Sequence, residues 1–225
     1  MNTLFTFGCS YTADFETGNL IPYLKYKEYR GGTYPKSWPT LLSEKIGMNI
    51  KNYGIGGTGN QSIFEQFCIH CNEINENDVV IIEWSFIHRY RISNDIIWRN
   101  ISLGPLLETN NNEVHDVIIQ DRTNKLYVDE VFNFINLIDE FSKSKKFKIF
   151  YWFAEEEMKE RLSKDMVGIE KYIFWEKPLM GTVFDLGGIT IREETKHIVG
   201  DDHFGELGHQ IQSNIIYEHI KQHIN

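Results

Sequence analysis

A serine near the start of the chain and a histidine near its end have neighbours suited to acid–base chemistry. Ser10 follows the apolar run Leu4 to Gly8, which predicts a short buried strand ending at a turn. Ligands of open α/β sheets bind where strands end, and a hydroxyl on a tight turn there can face a substrate. His203 follows Asp201 and Asp202, and a nearby carboxylate can orient an imidazole and stabilise its charged form. These residues indicate a serine nucleophile with a histidine base. The two aspartates have a second interpretation, because acidic residues commonly cap the start of a helix.

A glycine-rich segment, Gly54 to Asn60, follows a second predicted strand and precedes a predicted helix. Its spacing, Gly-x-Gly-Gly-x-Gly, differs from the Gly-x-Gly-x-x-Gly of dinucleotide-binding loops, and it lies in the second βα unit, which disfavours a nucleotide site. Glycines leave backbone N–H groups exposed, and at the start of a helix such groups can hold a negative charge. The segment is therefore a candidate source of donors for an oxyanion.

Apolar runs alternate with helical periodicity along the chain, and this alternation predicts an α/β protein with a parallel sheet covered on both faces. Strands are predicted at 4–8, 48–53, 78–85 and 147–153, with a possible fifth at 172–175. Helices are predicted at 37–46, 61–74, 129–142, 155–163 and 205–224. Residues 11–36 are predicted to form a long loop, and residues 86–127 an irregular insertion.

Length, composition and net charge indicate which classes of protein the chain fits. The 225 residues suit a single domain, with 41% hydrophobic and 24% charged residues. The net charge of -9 disfavours nucleic-acid binding, which depends on clustered Lys and Arg. Three cysteines do not make a disulfide framework, and neither a signal peptide nor an apolar span is recognisable, so we expect a cytoplasmic protein without a membrane segment.

Taken together, three segments resemble the ordered sequence blocks of the SGNH (GDSL-type) hydrolase superfamily. They are Gly8-Cys9-Ser10, Asn52 through Gly57, and Asp201-Asp202-His203 with Gly208-His209 downstream. The resemblance implies a flavodoxin-like three-layer α/β/α sandwich around a central parallel sheet. It also implies that the protein cleaves or transfers an acyl ester group without a metal or an organic cofactor.

The resemblance implies a role for each matching residue. Ser10 would be the nucleophile and would also donate its backbone N–H to the oxyanion, and Gly57 would add a second N–H. His203 would be the base. The family's usual acid lies three residues before the histidine, where this chain has Gly200. We expect Asp201 to orient His203, because the side chain of the adjacent Asp202 would point elsewhere.

Two departures from the family pattern concern the residues around the nucleophile. Cys9 stands where the family usually has an aspartate, and its thiol is an alternative nucleophile. The third block normally supplies an asparagine after the central strand, but here the strand is followed by Ser85 and Phe86. Asn60 and Ser85 are the nearest candidates for a replacement donor.

Residues that follow the central strand are candidates for binding the substrate. These are Trp84, Ser85 and Arg89; an arginine there would suit an anion such as a carboxylate or a sugar acid, although a surface ion pair explains it equally well. The tyrosines of 11–36 could form a sugar platform or anchor their segment to the core. We expect an esterase acting on a small-molecule or glycan ester, such as a carbohydrate O-acetyl group. The alternatives are an O-acyltransferase with the same site, or a silent SGNH-like binding domain.

Overall fold

A four-stranded parallel sheet forms the centre of the protein in a computed structural model, which describes residues 2–17, 21–86, 89–94, 97–102, 123–154, 168–173 and 178–224. The strand order is β2-β1-β3-β6. The sheet strands are β1 (Thr3–Gly8), β2 (Asn49–Gly54), β3 (Val79–Trp84) and β6 (Lys148–Phe153). A separate antiparallel hairpin is formed by β4 (Arg89–Asn94) and β5 (Ile97–Ser102).

Helices cover both faces of this sheet. The helices of the described residues are α1 (Ile21–Tyr29), α2 (Trp38–Ile46), α3 (Asn60–His70), α4 (Thr123–Lys145), α5 (Leu179–Asp185), α6 (Ile191–Glu194) and α7 (Glu206–Ile224). Apolar residues of α3 and α4 pack on one face, and those of α2, α5 and α7 pack on the other. The predicted three-layer α/β/α sandwich with a central parallel sheet is thus confirmed.

The central strand β3 divides its side chains between the two layers, as the two-residue period of a strand requires. Ile82 and Trp84 belong to the core under α3 and α4, whereas Val79 and Ile81 belong to the core under α2 and α7. All six residues of β3 are buried. Glu83, which faces the same side as Ile81, is therefore a carboxylic acid inside the protein.

Parallel pairing brings the carboxyl ends of the strands to one edge of the sheet. Gly8 pairs with Gly54, and Phe7 pairs with Ile82. The segments that follow β1, β2 and β3 therefore emerge side by side. This edge receives Ser10, the glycine-rich segment and Ser85 from positions far apart in the sequence.

Two predictions about irregular segments were wrong. The predicted loop 11–36 contains α1, in which Pro22 is compatible with the first helical turn, and Tyr23 and Tyr26 are buried against Phe15. The predicted irregular insertion 86–127 contains the β4–β5 hairpin and the first residues of α4. Residues 103–122 of the predicted insertion lie outside the described residues.

Most other element boundaries agree with the predictions within a few residues. Gly47 ends α2 with φ of 65°, a left-handed conformation that glycine adopts without strain. At the possible fifth strand, Tyr172 forms one isolated parallel bridge to Tyr151. The predicted helix 155–163 and residues 174–175 lie outside the described residues. Within the described part of the chain, no helix has both the length and the apolar character needed to cross a membrane.

Candidate active site

Ser10 lies in a tight turn at the end of β1. The carbonyl oxygen of Cys9 accepts hydrogen bonds from the N–H groups of Thr12 and Ala13, both at 3.0 Å. The end of β2 packs directly against this turn, since a Cβ on Gly54 would lie 2.5 Å from the backbone nitrogen of Ala13. A glycine is required there because any side chain would displace backbone.

The side chain of Asn52 connects β2 to the same turn. Its Nδ2 donates to the carbonyl oxygen of Thr12 at 2.8 Å, and its Oδ1 accepts from the N–H of Gly54 at 3.0 Å. The Oδ1 also accepts from the hydroxyl of Thr6 at 2.9 Å. Asn52 therefore holds the serine turn in register with the first two strands.

The histidine reaches the site on the segment between α6 and α7. The N–H of Ile191 donates to the carbonyl oxygen of His203, and the N–H of Arg192 donates to that of Asp201, both at 2.8 Å. The Arg192 side chain also binds Asp202, with Nε 2.7 Å from Oδ1 and Nη2 3.0 Å from Oδ2. Because Asp202 is occupied in this ion pair, Asp201 is the aspartate left to face the histidine.

Ser10, His203 and Asp201 are connected by two short hydrogen bonds. The Nε2 of His203 lies 2.8 Å from the Oγ of Ser10, and its Nδ1 lies 2.7 Å from the Oδ1 of Asp201. The backbone N–H of His203 also donates to Oδ1 of Asp201, at 2.8 Å. Burial disfavours the charged form of Asp201, but the hydrogen bonds and charge of His203 outweigh it and lower the pKa of this carboxyl. Asp201 is therefore an ionised acid beside the imidazole, although its catalytic role stays a prediction.

The glycine-rich segment turns immediately beside Ser10. The N–H of Thr58 reaches the carbonyl oxygen of Ile55 at 3.4 Å, and Gly57 has φ of 75° within this turn. A Cβ on Gly56 would lie 4.0 Å from the Cβ of Ser10. Among the described residues, the N–H groups of Ser10 and Gly57 have no hydrogen-bond partner. These two predicted oxyanion donors are therefore uncommitted, and their role stays a prediction.

Asn60, the predicted replacement donor, is occupied elsewhere. Its Oδ1 accepts from the N–H of Ser85 at 2.7 Å, and its Nδ2 donates to the carbonyl oxygen of the same residue at 3.1 Å. Both residues are buried. The amide of Asn60 thus ties the start of α3 to the end of β3, and the structure shows no contact between this amide and Ser10.

The three predicted substrate-binding residues have different surroundings. Trp84 is fully buried and stacks on Phe134, with ring centroids 6.2 Å apart, so its predicted contact with a substrate was wrong. Because side chains alternate between the two faces of a strand, Trp84 faces the layer formed by α3 and α4. Ser85 is also buried, and its Oγ accepts a hydrogen bond from Arg89 at 3.1 Å, which removes it from direct substrate contact as well. Arg89 is half-buried and remains a candidate.

Glu83 is a residue of the site that the sequence analysis missed. Its carboxyl accepts hydrogen bonds from the hydroxyl of Thr12 and, at 3.9 Å, from the thiol of Cys9. Burial raises its pKa from 4.5 to about 7, against the lowering effects of Thr12, Arg89 and Cys9. A glutamate within an otherwise apolar central strand was the signal that could have revealed it.

The thiol of Cys9 lies in the core, where it contacts the carboxyl of Glu83. Cys9 is fully buried, and burial followed by the charge of Glu83 raises the pKa of the thiol. Thiolates are the nucleophilic form of cysteine, so these surroundings disfavour the alternative of a cysteine nucleophile.

His209 has a structural position. Its Nδ1 accepts a hydrogen bond from the backbone N–H of Trp38 at 3.2 Å, at the first residue of α2. Burial, with a smaller contribution from the charge of His203, lowers the pKa of His209 to about 3. The ring is therefore neutral and caps a helix. Among the described residues, no group of three or more His, Cys, Asp or Glu side chains is arranged to hold a metal ion.

Comparison with known proteins supports the architecture. No protein-family model matches the sequence, and no curated protein matches it. A protein of the G-D-S-L lipolytic family from Desulfitobacterium hafniense DCB-2 is similar in structure, with a TM-score of 0.50 and 12% identity over 97% of this chain and 99% of that chain. This chain has the SGNH (GDSL-type) hydrolase fold. The fold implied by the sequence resemblance is thus confirmed.

Two further structures have lower scores. A member of the G-D-S-L lipolytic family from Veillonella parvula DSM 2008 has a TM-score of 0.48, at 14% identity over 97% of both chains. A catalytic mutant of Axe2, an acetylxylan esterase from Geobacillus stearothermophilus, has a TM-score of 0.41, at 14% identity over 97% of this chain and 94% of that chain.

Proposed function

We propose that this SGNH-fold protein is a serine-dependent hydrolase of acyl esters. The observation that carries the proposal is the continuous hydrogen-bonded line from the Oγ of Ser10 through His203 to Asp201, with contacts of 2.8 Å and 2.7 Å. A nucleophile, a base within hydrogen-bond reach and a third group that orients the base are the three parts that this chemistry needs.

The acylation step follows from this geometry. The Nε2 of His203 takes the hydroxyl proton of Ser10 while the Oγ attacks the ester carbonyl carbon. The imidazolium that forms is stabilised by the carboxylate of Asp201. When the tetrahedral intermediate collapses, the bond to the alcohol oxygen breaks, and His203 returns the proton to this leaving oxygen. The products are an acyl-serine and a free alcohol.

The uncommitted N–H groups of Ser10 and Gly57 are the proposed donors to the carbonyl oxygen as it becomes negative. Donors placed where charge develops cost no reorganisation during the reaction, and loss of one donor typically slows a reaction by about 10² to 10³. The start of α3, immediately after the glycine-rich segment, adds a favourable dipole at the same edge.

The second half of the reaction separates two closely related functions. A water molecule that attacks the acyl-serine, with His203 again as base, gives a free acid and makes the protein a hydrolase. A sugar hydroxyl that attacks instead makes it an O-acyltransferase. We propose the hydrolase, with release of acid and transfer of the acyl group as measurable alternatives.

A small acyl group and a carbohydrate alcohol are the proposed halves of the substrate. Tyr11 and Tyr23 pack beside the base, with ring centroids 5.0 Å and 6.0 Å from that of His203, and bulky neighbours of this kind favour a small acyl group. This supports an acetyl ester. Tyr29 of α1 is 46% exposed and donates to the carbonyl oxygen of Glu194, the last residue of α6 before the segment that carries the base. Its flat aromatic face suits a sugar ring.

A catalytically silent binding domain is the second candidate, and the engagement of Asn60 with Ser85 favours it because a side-chain oxyanion donor is missing there. Hydrolysis of p-nitrophenyl acetate and labelling by a fluorophosphonate probe distinguish the two candidates. We expect the unaltered protein to react with both reagents, Ser10→Ala to react with neither, and Cys9→Ala to retain labelling. An unlabelled wild-type protein would favour the silent domain. Release of acetate from acetylated sugars then tests the substrate class.

A further inference from the structure

Arg89 is a cation at the same sheet edge as Ser10, and its side chain has two contacts within the described part of the chain. Its Nη1 donates to the Oγ of Ser85 at 3.1 Å, and its guanidinium carbon lies 4.8 Å from the ring centroid of Phe86. Within the described ranges, no carboxylate forms an ion pair with it. A guanidinium has five N–H donors, and within the described residues only one of its nitrogens donates a side-chain hydrogen bond.

Contacts on two sides fix the place of Arg89 relative to the site. Its backbone carbonyl packs so closely on Gly59 that a Cβ there would collide with it. On the other side, the Phe86 ring beneath the guanidinium lies 6.3 Å from the ring of Tyr11, which lies 5.0 Å from that of His203. Arg89 is therefore held between the glycine-rich segment and the aromatic residues that surround the base.

Burial and the charge of Arg89 act in opposite directions on the pKa of groups in the serine turn and of Glu83 beneath it. Burial is the largest effect on Cys9, Tyr11 and Glu83 and raises the pKa of each, whereas the positive charge of Arg89 opposes it at all three. With a pKa of about 7, the carboxyl of Glu83 is only partly ionised at neutral pH and does not neutralise this cation fully. Arg89 is therefore a cation that Glu83 neutralises only in part, in a protein whose net charge is -9.

We propose that Arg89 binds a carboxylate carried by the substrate, so that the enzyme prefers acidic esters; this inference rests on the proposed hydrolase function. Arginine suits the role because its planar fork pairs with both oxygens of a carboxylate. The hydrogen bond to Ser85 and the Phe86 ring hold the guanidinium in place before a substrate arrives, which reduces the entropy lost on binding.

Matched pairs of esters test the proposal and locate the carboxylate. The first pair, 4-acetoxybenzoate and methyl 4-acetoxybenzoate, places the charge on the alcohol half. The second, the 4-nitrophenyl esters of succinate and butyrate, places it on the acyl half. We expect Arg89→Gln to lower kcat/KM about 10- to 100-fold for the anionic member of one pair, as loss of a hydrogen bond to a charged group does. The neutral member should change little, because it makes no such bond.

Two variants serve as controls. Lys143→Gln removes the same unit of charge from an exposed lysine at the end of α4, near the opposite edge of the sheet, and should leave the ratio of kcat/KM values unchanged. Arg89→Lys keeps the charge but loses the planar fork, so it should retain part of the preference. The ratio of kcat/KM for the anionic ester to kcat/KM for the neutral ester is compared between variants. This comparison cancels the different intrinsic reactivities of the two esters in a pair.

Equal losses of activity on anionic and neutral esters in Arg89→Gln would overturn the proposal, because they would indicate a structural role. A wild-type protein without preference for either anionic ester would overturn it as well. If the wild-type protein hydrolyses none of the esters, the proposed function fails, and calorimetric titration with 4-hydroxybenzoate and with succinate still decides the inference. Binding of either that is weakened in Arg89→Gln supports it, and binding of neither refutes it.

Discussion

The variant Glu83→Gln, in which the buried acid is replaced by its amide, tests whether the carboxyl beneath Ser10 keeps its proton as the pH rises. Glutamine has nearly the same shape as protonated glutamic acid but does not ionise. In the unfolded chain the carboxyl titrates near 4.5, whereas in the folded protein burial raises its pKa to about 7. Between these pH values the folded state keeps a proton that the unfolded state has released. The free energy of unfolding must therefore fall as pH rises through this window and stay constant above it.

The size of the effect follows from the shift. A change from 4.5 to about 7 corresponds to about 3 kcal/mol when the group is fully titrated, and roughly 2 to 3 kcal/mol of it lies between pH 5 and pH 8. Glu83→Gln should therefore become more stable relative to the wild-type protein by this amount over that range. Glutamine has one acceptor oxygen where the carboxylate has two, so it can keep only one of the hydrogen bonds from Thr12 and Cys9. Because the variant does not ionise, that loss acts equally at every pH and does not change the slope.

Urea unfolding followed by tryptophan fluorescence at pH 5, 6, 7 and 8 measures this difference. Other groups titrate in the same range, but they are common to both proteins, and subtraction removes their contribution. Glu76→Gln, in which an exposed carboxylate beside Lys146 is lost, controls for the change in net charge. If the curves for wild-type protein and Glu83→Gln are parallel across this range, the carboxyl is ionised in the folded state and the reasoning about its burial is refuted.

Three further predictions concern Asp201, His209 and Gly54. Asp201→Asn should lower kcat by about 10² to 10⁴ because the base loses its orienting carboxylate, whereas Asp202→Asn should change kcat only a few-fold; similar losses in ester hydrolysis would contradict the assignment. Because burial lowers the pKa of His209 from 6.5 to about 3, the unfolded chain gains a proton first on acidification. The contribution of His209 to the free energy of unfolding is complete above pH 6.5 and falls by roughly 4 kcal/mol as the pH is lowered towards 3. In urea unfolding, His209→Asn should reduce the pH dependence of this free energy, and an unchanged pH dependence would refute the prediction. Gly54→Ala would put its methyl group 2.5 Å from a backbone nitrogen and should lower Tm strongly, whereas Gly200→Ala meets nothing within 4 Å and should leave Tm nearly unchanged; equal melting temperatures would contradict the close packing.

The residues brought together at the site could be predicted from sequence because of a general property of parallel sheets. Strands that run in the same direction end at the same edge, so Ser10 and the glycine-rich segment were expected at one edge, and the pairing of β1 with β2 makes them neighbours. The serine after an apolar run and the histidine before the last helix were both visible as local patterns. Their catalytic roles still await measurement.

Other features depended on tertiary contacts that no local pattern encodes. Two adjacent aspartates precede His203, and the ion pair with Arg192 determines that Asp202 turns away and Asp201 faces the ring. Burial of Tyr23 and Tyr26 turned a segment with loop-forming residues into α1, because apolar contact outweighed the local preference.

The sequence by itself determined the succession of strands and helices along the chain, because hydrophobic periodicity and turn residues act locally. It also indicated that the serine near one end of the chain and the histidine near the other belong to the site. The tertiary structure alone decided the environment of each polar side chain. It buried Glu83 under the serine turn, engaged Asn60 with Ser85 and turned Trp84 into the core. The physical reason is that pKa, exposure and hydrogen-bond partners are set by neighbours that are distant in sequence.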